Sequence, residues 1–436
     1  MPNTKETSRL QHFREHGMKS ALAPAALIIL YVFFAIFGRG YFSYATLVNI
    51  INAAYYIGFI AIGVTFVIVT GGIDLSVGTV MMSSALIGGT AMKHGLPMVP
   101  TLLLIILMGL LYGLFNGVMV ARLKMPPFIV TLGTMMISMG IGSIVSNVSS
   151  ATFPIRGAAG GWFKSIFLYL TPNGTPIPTG AILLFLVATI AHIILSNTKL
   201  GRYTYAIGSN REAARLSGVD VKKWETLVYM ITGITAGIGG ISYAAIYTTI
   251  LPAQGQGFEL YAIAAAVIGG TSLAGGSGTI WGTIIGVFIM SVLSTGLPSL
   301  NLEAHWQTFF TGIIVVGAVL LDMYRNKKAA EVKIETPADT YKAEMADKIA
   351  QLKAKMAEKR AAGDTKEAAK INTAISKAQN EMKSTYARMK KEQKEELLRI
   401  KNEERAADHA FAELLKANEK SDSENGAKAP GSPNSM

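Results

Sequence analysis

Few groups in this chain could do chemistry by themselves. Its 436 residues contain no cysteine and six histidines. Without thiols there is no disulfide, no thiolate zinc site and no thiol nucleophile. None of the histidines stands in a paired metal-ligand spacing, and no Ser-His-Asp set can be assembled on one membrane face. Five acidic residues lie in or beside long apolar runs: Asp74, Glu225, Glu259, Glu303 and Asp322. An ionisable group inside a membrane segment is costly and a functional candidate by default. All five stand near the ends of those runs, where interfacial solvation lowers the cost, and Asp322 is expected to pair with Arg325. Asp74 differs, because Gly71 and Gly72 precede it and Ser76 follows it. A break there would hold its carboxylate in protein, either capping the next helix or facing a substrate. No chain of buried carboxylates suited to proton coupling is visible. The residues specify no catalytic centre and no metal site.

The one long polar, strongly basic stretch between apolar runs is 198–225, with Lys199, Arg202, Arg211, Arg215, Lys222 and Lys223. Asn210 is a good N-cap residue, Glu212 suits a first helical turn, and Gly218 suits a helix end. The pattern predicts a helix of about two turns over Asn210–Gly218, lying on the cytoplasmic surface. So short a helix with so little apolar surface must rest against something. A solvated loop between helices is the plainer alternative.

The elements that position these residues are membrane spans. Half the residues are hydrophobic, and they come in runs rather than alternations. Candidate spans are 21–38, 50–70, 76–92, 99–121, 127–147, 179–196, 225–248, 259–274, 279–296 and 306–324. Each approaches the ~20 residues a helix needs to cross ~30 Å of hydrocarbon. A cleavable leader is disfavoured by the long polar start and by Gly38-Arg39-Gly40. With ten crossings, loops on the N-terminal side carry 15 Lys/Arg and the opposite loops carry 4. That asymmetry places both termini in the cytoplasm of a multi-pass protein of the cytoplasmic (inner) membrane. Residues 1–328 hold 19 basic and 9 acidic groups, an excess that orients helices in lipid rather than binding nucleic acid.

Two glycine-rich interruptions punctuate the spans: Thr70–Gly78, with Gly71 and Gly72, and Gly269–Gly278, opening on Gly269 and Gly270. Irregular backbone near lipid survives only where protein or water satisfies it, so both breaks should face a bundle interior or cavity. Close helix packing by small residues is the alternative. Neither cluster is followed by Gly-Lys-Ser/Thr, so neither is a nucleotide loop. Amides, hydroxyls and aromatic faces suited to sugars are Asn52, Tyr55, Tyr56, Asn116, Thr131, Thr134 and Phe128, although helix packing is the commoner role for each taken singly. The loop 149–178 is long enough for a structured lid or a short interfacial helix at 162–170.

Several of these motifs resemble a known family. Glu212-Ala213-Ala214, three residues, then Gly218, with Gly201-Arg202 upstream, resembles the coupling loop of ABC importer permeases. GGIDLSVG at 71–78, ELYAIAAAVIGGTSLAGGSGTIWGTIIG at 259–286 and MPPFIVTLGT at 125–134 are similar to signatures of the ribose, xylose and galactoside branch. The matches run in order from about 45 to 328. The resemblance implies an all-α polytopic permease of about ten transmembrane helices that imports a monosaccharide. It implies a cytoplasmic ABC ATPase holding ATP-Mg, a secreted or periplasmic sugar-binding protein and a second permease copy, with no cofactor on this chain. Gly201, Arg202, Asn210, Glu212, Ala213, Ala214 and Gly218 would then couple to the ATPase. Gly71, Gly72, Asp74, Ser76, Asn52, Asn116, Thr131, Glu259, Gly269 and Gly270 would border the pathway. Tyr261 stands where the family usually has Asp, which unsettles any role carried over to that carboxylate. An ion- or proton-driven carrier, or a scaffold built on the tail, are the competing classes.

The chain divides into a cytoplasmic segment 1–20, a permease domain 21–328, a charged helical tail 329–418 and a structureless end 419–436. In the tail, Met345, Ile349, Leu352 and Met356 form one apolar stripe, and Ile371, Ile375, Met382, Tyr386 and Met389 form another. Gly363 and Asp364 read as a C-cap and N-cap between them, predicting a cytoplasmic helical hairpin or coiled coil. The resemblance says nothing about this part.

Overall fold

The computed structural model describes residues 23–330, 337–361 and 364–426. The segment 1–20, Gly363 and the last ten residues of the chain lie outside these. Contacts divide the chain into two compact units, Met1–Ala329 and Ala330–Met436.

The first unit is a bundle of apolar helices: α1 (Ala23–Phe37), α2 (Tyr44–Val69), α3 (Val77–Lys93), α4 (Met98–Ala121), α5 (Pro127–Val145), α7 (Gly180–Asn197), α10 (Val221–Tyr247), α11 (Phe258–Ile268), α12 (Ile280–Ser299) and α13 (Ala304–Ala330). Between them lie the short helices α6 (Lys164–Phe167), α8 (Lys199–Ser209) and α9 (Arg211–Leu216). Among the described residues, six helices are long and apolar enough to cross a membrane: α2, α4, α5, α7, α10 and α12. The chain is an all-α polytopic membrane protein. The expected span 259–274 is corrected, since α11 has eleven residues and stops at Ile268. At 1.5 Å per residue it is about 16 Å long, too short to cross alone. Gly269 closes it, with Gly270 at φ +96° turning the chain.

Helix α2 is apolar all round and almost wholly buried, packed by α3, α7, α10, α11 and α12. A helix without a polar face belongs in a bundle centre. Helices α4, α5 and α7 bury only one side, leaving Leu103, Leu107, Ile129, Met136, Ile182 and Leu186 open. Small residues allow the tightest crossing: Gly109 and Gly113 of α4 lie against the backbone of Tyr229 and Gly233 of α10.

The loop 146–179 holds two-residue strands rather than one interfacial helix. β1 (Ala151–Thr152) pairs antiparallel with β4 (Thr249–Ile250), Ala151 opposite Ile250; β2 (Tyr169–Leu170) pairs with β3 (Pro176–Ile177). The expected helix at 162–170 shrinks to a 3-10 turn and α6, because Leu168 turns extended at φ −143°. Lys164 Nζ donates to Thr248 Oγ1 at 2.5 Å, tying this loop to the end of α10. Burial, helped by the nearby Arg156 charge, pushes the Lys164 ammonium below its usual range.

The second unit contains α14 (Pro337–Ala361) and α15 (Thr365–Gly426), packed on each other. Ile349 and Ile375 are buried and the other stripe residues half-buried between them. Asp364 Oδ1 accepts the Glu367 N–H at 3.1 Å and Lys359 pairs with Glu367 at 2.6 Å, fixing the turn. That N–H holds the Asp364 carboxyl below its ordinary value. Helix α15 runs on to Gly426, through the first part of the end expected to lack structure.

Candidate coupling and pathway site

The basic stretch forms two helices at an elbow, where one was expected. Thr198 caps α8, its Oγ1 accepting from Gly201 N–H, and Gly201, Thr204 and Ile207 form its buried side. Gly201 lies close against the backbone of Leu195, which folds α8 back on α7, while Arg202 stays exposed and reaches the Asn197 carbonyl. Asn210 caps α9 as expected, its Oδ1 accepting from Ala213 N–H at 2.9 Å. At the far end Gly218 takes φ +83°, and the Gly218 and Val219 N–H groups close on Arg215 and Ala214 carbonyls. Ala214, Ile207 and Val221 form a small core under the elbow, with Trp224 at its edge. Glu212 and Ala213 face outward, Glu212 pairing with Arg215 on the surface. Leu216, not singled out from sequence, is 79% exposed.

The elbow touches the second glycine break and the end of α2 that opens the first. Tyr205 of α8 donates to the Gly278 carbonyl at 2.7 Å. Gly208 lies so close that a Cβ there would clash with the Val69 carbonyl oxygen and meet Gly276 N at 2.5 Å. Gly276 N–H itself donates to Val69 O at 2.9 Å, and Gly275 packs on Gly71. The end of α2, both breaks and the end of α8 therefore meet in one joint. Tyr205 and Gly208 were missed in the sequence because their partners lie about 70 and 140 residues away.

Four of the five acidic residues are buried: Asp74 as expected at a helix break, and Glu225, Glu259 and Asp322 against the expectation that solvent eases their charge. Asp74, 2% exposed, accepts from Ser76 N–H at 2.8 Å and from Ser76 Oγ at 2.7 Å. Asn116 Nδ2 donates to Ser76 Oγ at 2.9 Å, and Thr134 Oγ1 donates to Asn116 Oδ1 at 2.6 Å. Thr131 Oγ1 accepts from Leu75 N–H at 3.1 Å. The stretch from Ile73 to Ser76 is thus held by α4 and α5. Glu259 folds back to accept from Gly257 N–H at 2.9 and 3.0 Å, and Gly78 packs against it. Glu225, 3% exposed, takes a two-pronged pair from Arg211 at 2.6 and 2.7 Å. Asp322 Oδ2 accepts from Leu273 N–H at 3.1 Å, binding α13 to the second break. It caps that backbone, and the expected partner Arg325 lies outside the described side chains. Only Glu303 is exposed. Backbone N–H groups, and for Glu225 the Arg211 guanidinium, make these burials tolerable, a compensation that a linear sequence does not display.

The sugar-suited residues separate. Asn52 and Tyr56 line a cavity of about 350 Å³. Tyr55 is buried against Phe167, with ring centroids 6.0 Å apart, and Phe128 is exposed. Asn116, Thr131 and Thr134 belong to the Asp74 joint, away from the cavity. Gly72 packs on Tyr229, and Gly269 lies against the Gly282 backbone where α11 meets α12. Gly270 is open, and Tyr261 reaches Thr311 of α13 at 3.4 Å.

A buried multi-helix core with a surface elbow wired to two interior breaks is the build of a transport permease. Residues 46–319 match the profile of the family described as branched-chain amino acid transport system / permease component, and the chain belongs to that family. It is 36% identical to the ribose import permease protein RbsC of Bacillus subtilis over 72% of this chain and 95% of that protein. It is 34% identical to the fructose import permease protein FrcC of Rhizobium meliloti, over 74% of this chain and 90% of that protein. An autoinducer 2 import system permease protein LsrC of Yersinia pseudotuberculosis is 33% identical over 70% and 84%. No solved structure matches the chain.

Proposed function

We propose that this chain is the permease subunit of an ATP-driven importer for a monosaccharide, working by alternating access. It crosses the cytoplasmic membrane ten times with both termini inside, α11 and the break Gly269–Gly278 together making one of the crossings, and the open apolar faces of α4, α5 and α7 meet lipid. A separate ABC ATPase hydrolyses ATP-Mg, a soluble sugar-binding protein delivers the solute, and two permease copies share the pathway. This chain holds no nucleotide and catalyses no bond change. The observation that carries the reading is the elbow joint, since α8 touches the second glycine break through Tyr205 and Gly208 and, through Gly208, the Val69 end of α2 that opens the first. Closure of an ATPase on α9 would pull on backbone rather than on floppy side chains. Exposed Leu216 and Ala213 are the surface such a partner would cover, a docking that so short a helix could not supply alone.

Glu212→Lys and Gly218→Trp test this. The Glu212–Arg215 pair is a surface one, 69% and 65% exposed, so losing it costs the fold little. Gly218 has nothing within 4 Å, so a large side chain there projects outward into the docking surface, at a backbone cost of about 1–2 kcal/mol for replacing glycine at φ +83°. Both variants should reach the membrane in normal amount and lose ATP-dependent uptake. Normal uptake in both contradicts the coupling role. A proton-driven carrier has one observation in its favour, the burial of Asp74 and Glu259. Uptake that survives ATP depletion and collapses with an uncoupler would favour that second reading.

A further inference from the structure

The start of α2 and the ends of α10 and α12 surround the cavity of about 350 Å³, a size suited to a small ligand. Its polar lining is Asn49, Asn52, Tyr56, Tyr247, Ser294 and Thr295, and no acidic or basic side chain is among the described residues that line it. Asn52 is only 7% exposed, and its Oδ1 has no hydrogen-bond partner among the described residues. An amide oxygen left in that state is costly unless a ligand or water donates to it. Below the cavity Tyr56 packs on Tyr243, Tyr247 and Phe258, with ring centroids 5.3, 6.1 and 5.4 Å away. Phe258 opens α11 and is followed by Glu259, so this aromatic cluster stands between the cavity and the point where Gly78 meets Glu259.

We propose that this cavity is a solute subsite of the permease itself, taking an uncharged polyhydroxylated ring of monosaccharide size. The assignment rests on the importer reading above and narrows it. Two amides and four hydroxyl-bearing side chains can donate and accept, and the tyrosine rings supply a flat apolar face, which is what a sugar ring presents in complement. A free amino acid needs a cation for its carboxylate and an anion for its ammonium, and the lining has neither. The subsite therefore discriminates between the amino acids in the family's description and the sugars in its relatives' names. It places part of the selectivity in the membrane, separate from any soluble binding protein.

The chain's lack of cysteine makes the test direct. Ser294→Cys would be made in the full chain, with Asn173→Cys, an exposed loop position, as the control. Intact cells would be treated with a charged, membrane-impermeant thiol reagent, with and without D-ribose, D-fructose, D-galactose or L-leucine. At least one sugar should slow labelling of Ser294→Cys severalfold, leucine should not, and no solute should change labelling of Asn173→Cys. In the complete importer, Asn52→Leu should lower sugar uptake by about fivefold, the worth of one neutral hydrogen bond, at unchanged membrane level. Asn52→Gln should restore part of it. Equal labelling rates with and without every sugar, or full uptake by Asn52→Leu, overturns the subsite and leaves the importer standing. A wild-type chain that carries leucine and no sugar overturns the monosaccharide reading and the subsite together.

Discussion

Arg211 and Glu225 show how much a single pair can hold. Glu225 begins the first turns of α10 as a nearly sealed carboxylate, and Arg211, still 44% exposed, satisfies both its oxygens from α9. Two-pronged geometry makes this pair stronger than a surface contact, while the half-exposed guanidinium keeps part of its hydration. Arg211→Ala should therefore destabilise the protein by about 1–3 kcal/mol, less than the ~3–5 kcal/mol for breaking a fully buried pair. Arg211→Ala with Glu225→Ala should recover much of that, since no carboxylate is left stranded. The fraction remaining monodisperse after heating in detergent would measure both; equal loss in the single and double variants would refute the pairing energetics. Fourteen residues separate the two groups, with a helix end and a turn between them. In the sequence they read as a loop cation and an interfacial acid, because nothing linear says that the chain doubles back.

At the scale of elements, what was legible was whatever local chemistry decides. Runs of apolar residues marked the long helices, and Asn210 and Gly218 marked the ends of α9. Helix α8 was not legible as a helix, because its apolar content is low. Its signal was the cap at Thr198 with a buried side at Gly201, Thr204 and Ile207, three residues apart. The shortness of α11 was likewise hidden, since an apolar run does not say where a backbone turns. The contact that α8 makes with the breaks depends on Gly208, whose neighbours there are rigid backbone. Gly208→Ala should push α8 away from Val69 and Gly276 at an overpacking cost of about 1–3 kcal/mol and lower coupled uptake by roughly tenfold or more. Gly140→Ala in α5, with nothing within 4 Å, should stay within about 0.5 kcal/mol of wild type and transport normally. Initial rates of labelled sugar uptake, normalised to membrane content, separate the two. Equal rates would mean that the joint transmits nothing.

The whole molecule carries more than its family requires. The family match ends at 319, and the B. subtilis relative covers 72% of this chain while 95% of its own length is used. The helical hairpin of α14 and α15 lies beyond that match. Helix α14 has 25 residues and α15 has 62, so α14 can cover well under half of its partner. Lys342, near the start of α14, sits over the Tyr386 ring at 4.8 Å and marks where that cover ends. Past it, Leu398 is 59% exposed, and the sequence continues with Ile400, Phe411, Leu414 and Leu415. A 62-residue helix that carries apolar residues beyond the reach of the 25-residue α14 needs a second surface. On the proposed topology that surface is cytoplasmic, and the ATPase or the neighbouring permease copy can supply it. A chain ending at Ala330 should still insert and stay folded, because the buried core of the first unit is built from residues 34–297. Its yield of co-purified ATPase, or of permease dimer, should fall severalfold, and uptake should fall with it. Assembly and transport unchanged by the deletion would count against a structural role for the hairpin in the importer. Loss of membrane insertion itself would show instead that the second unit serves folding of the first.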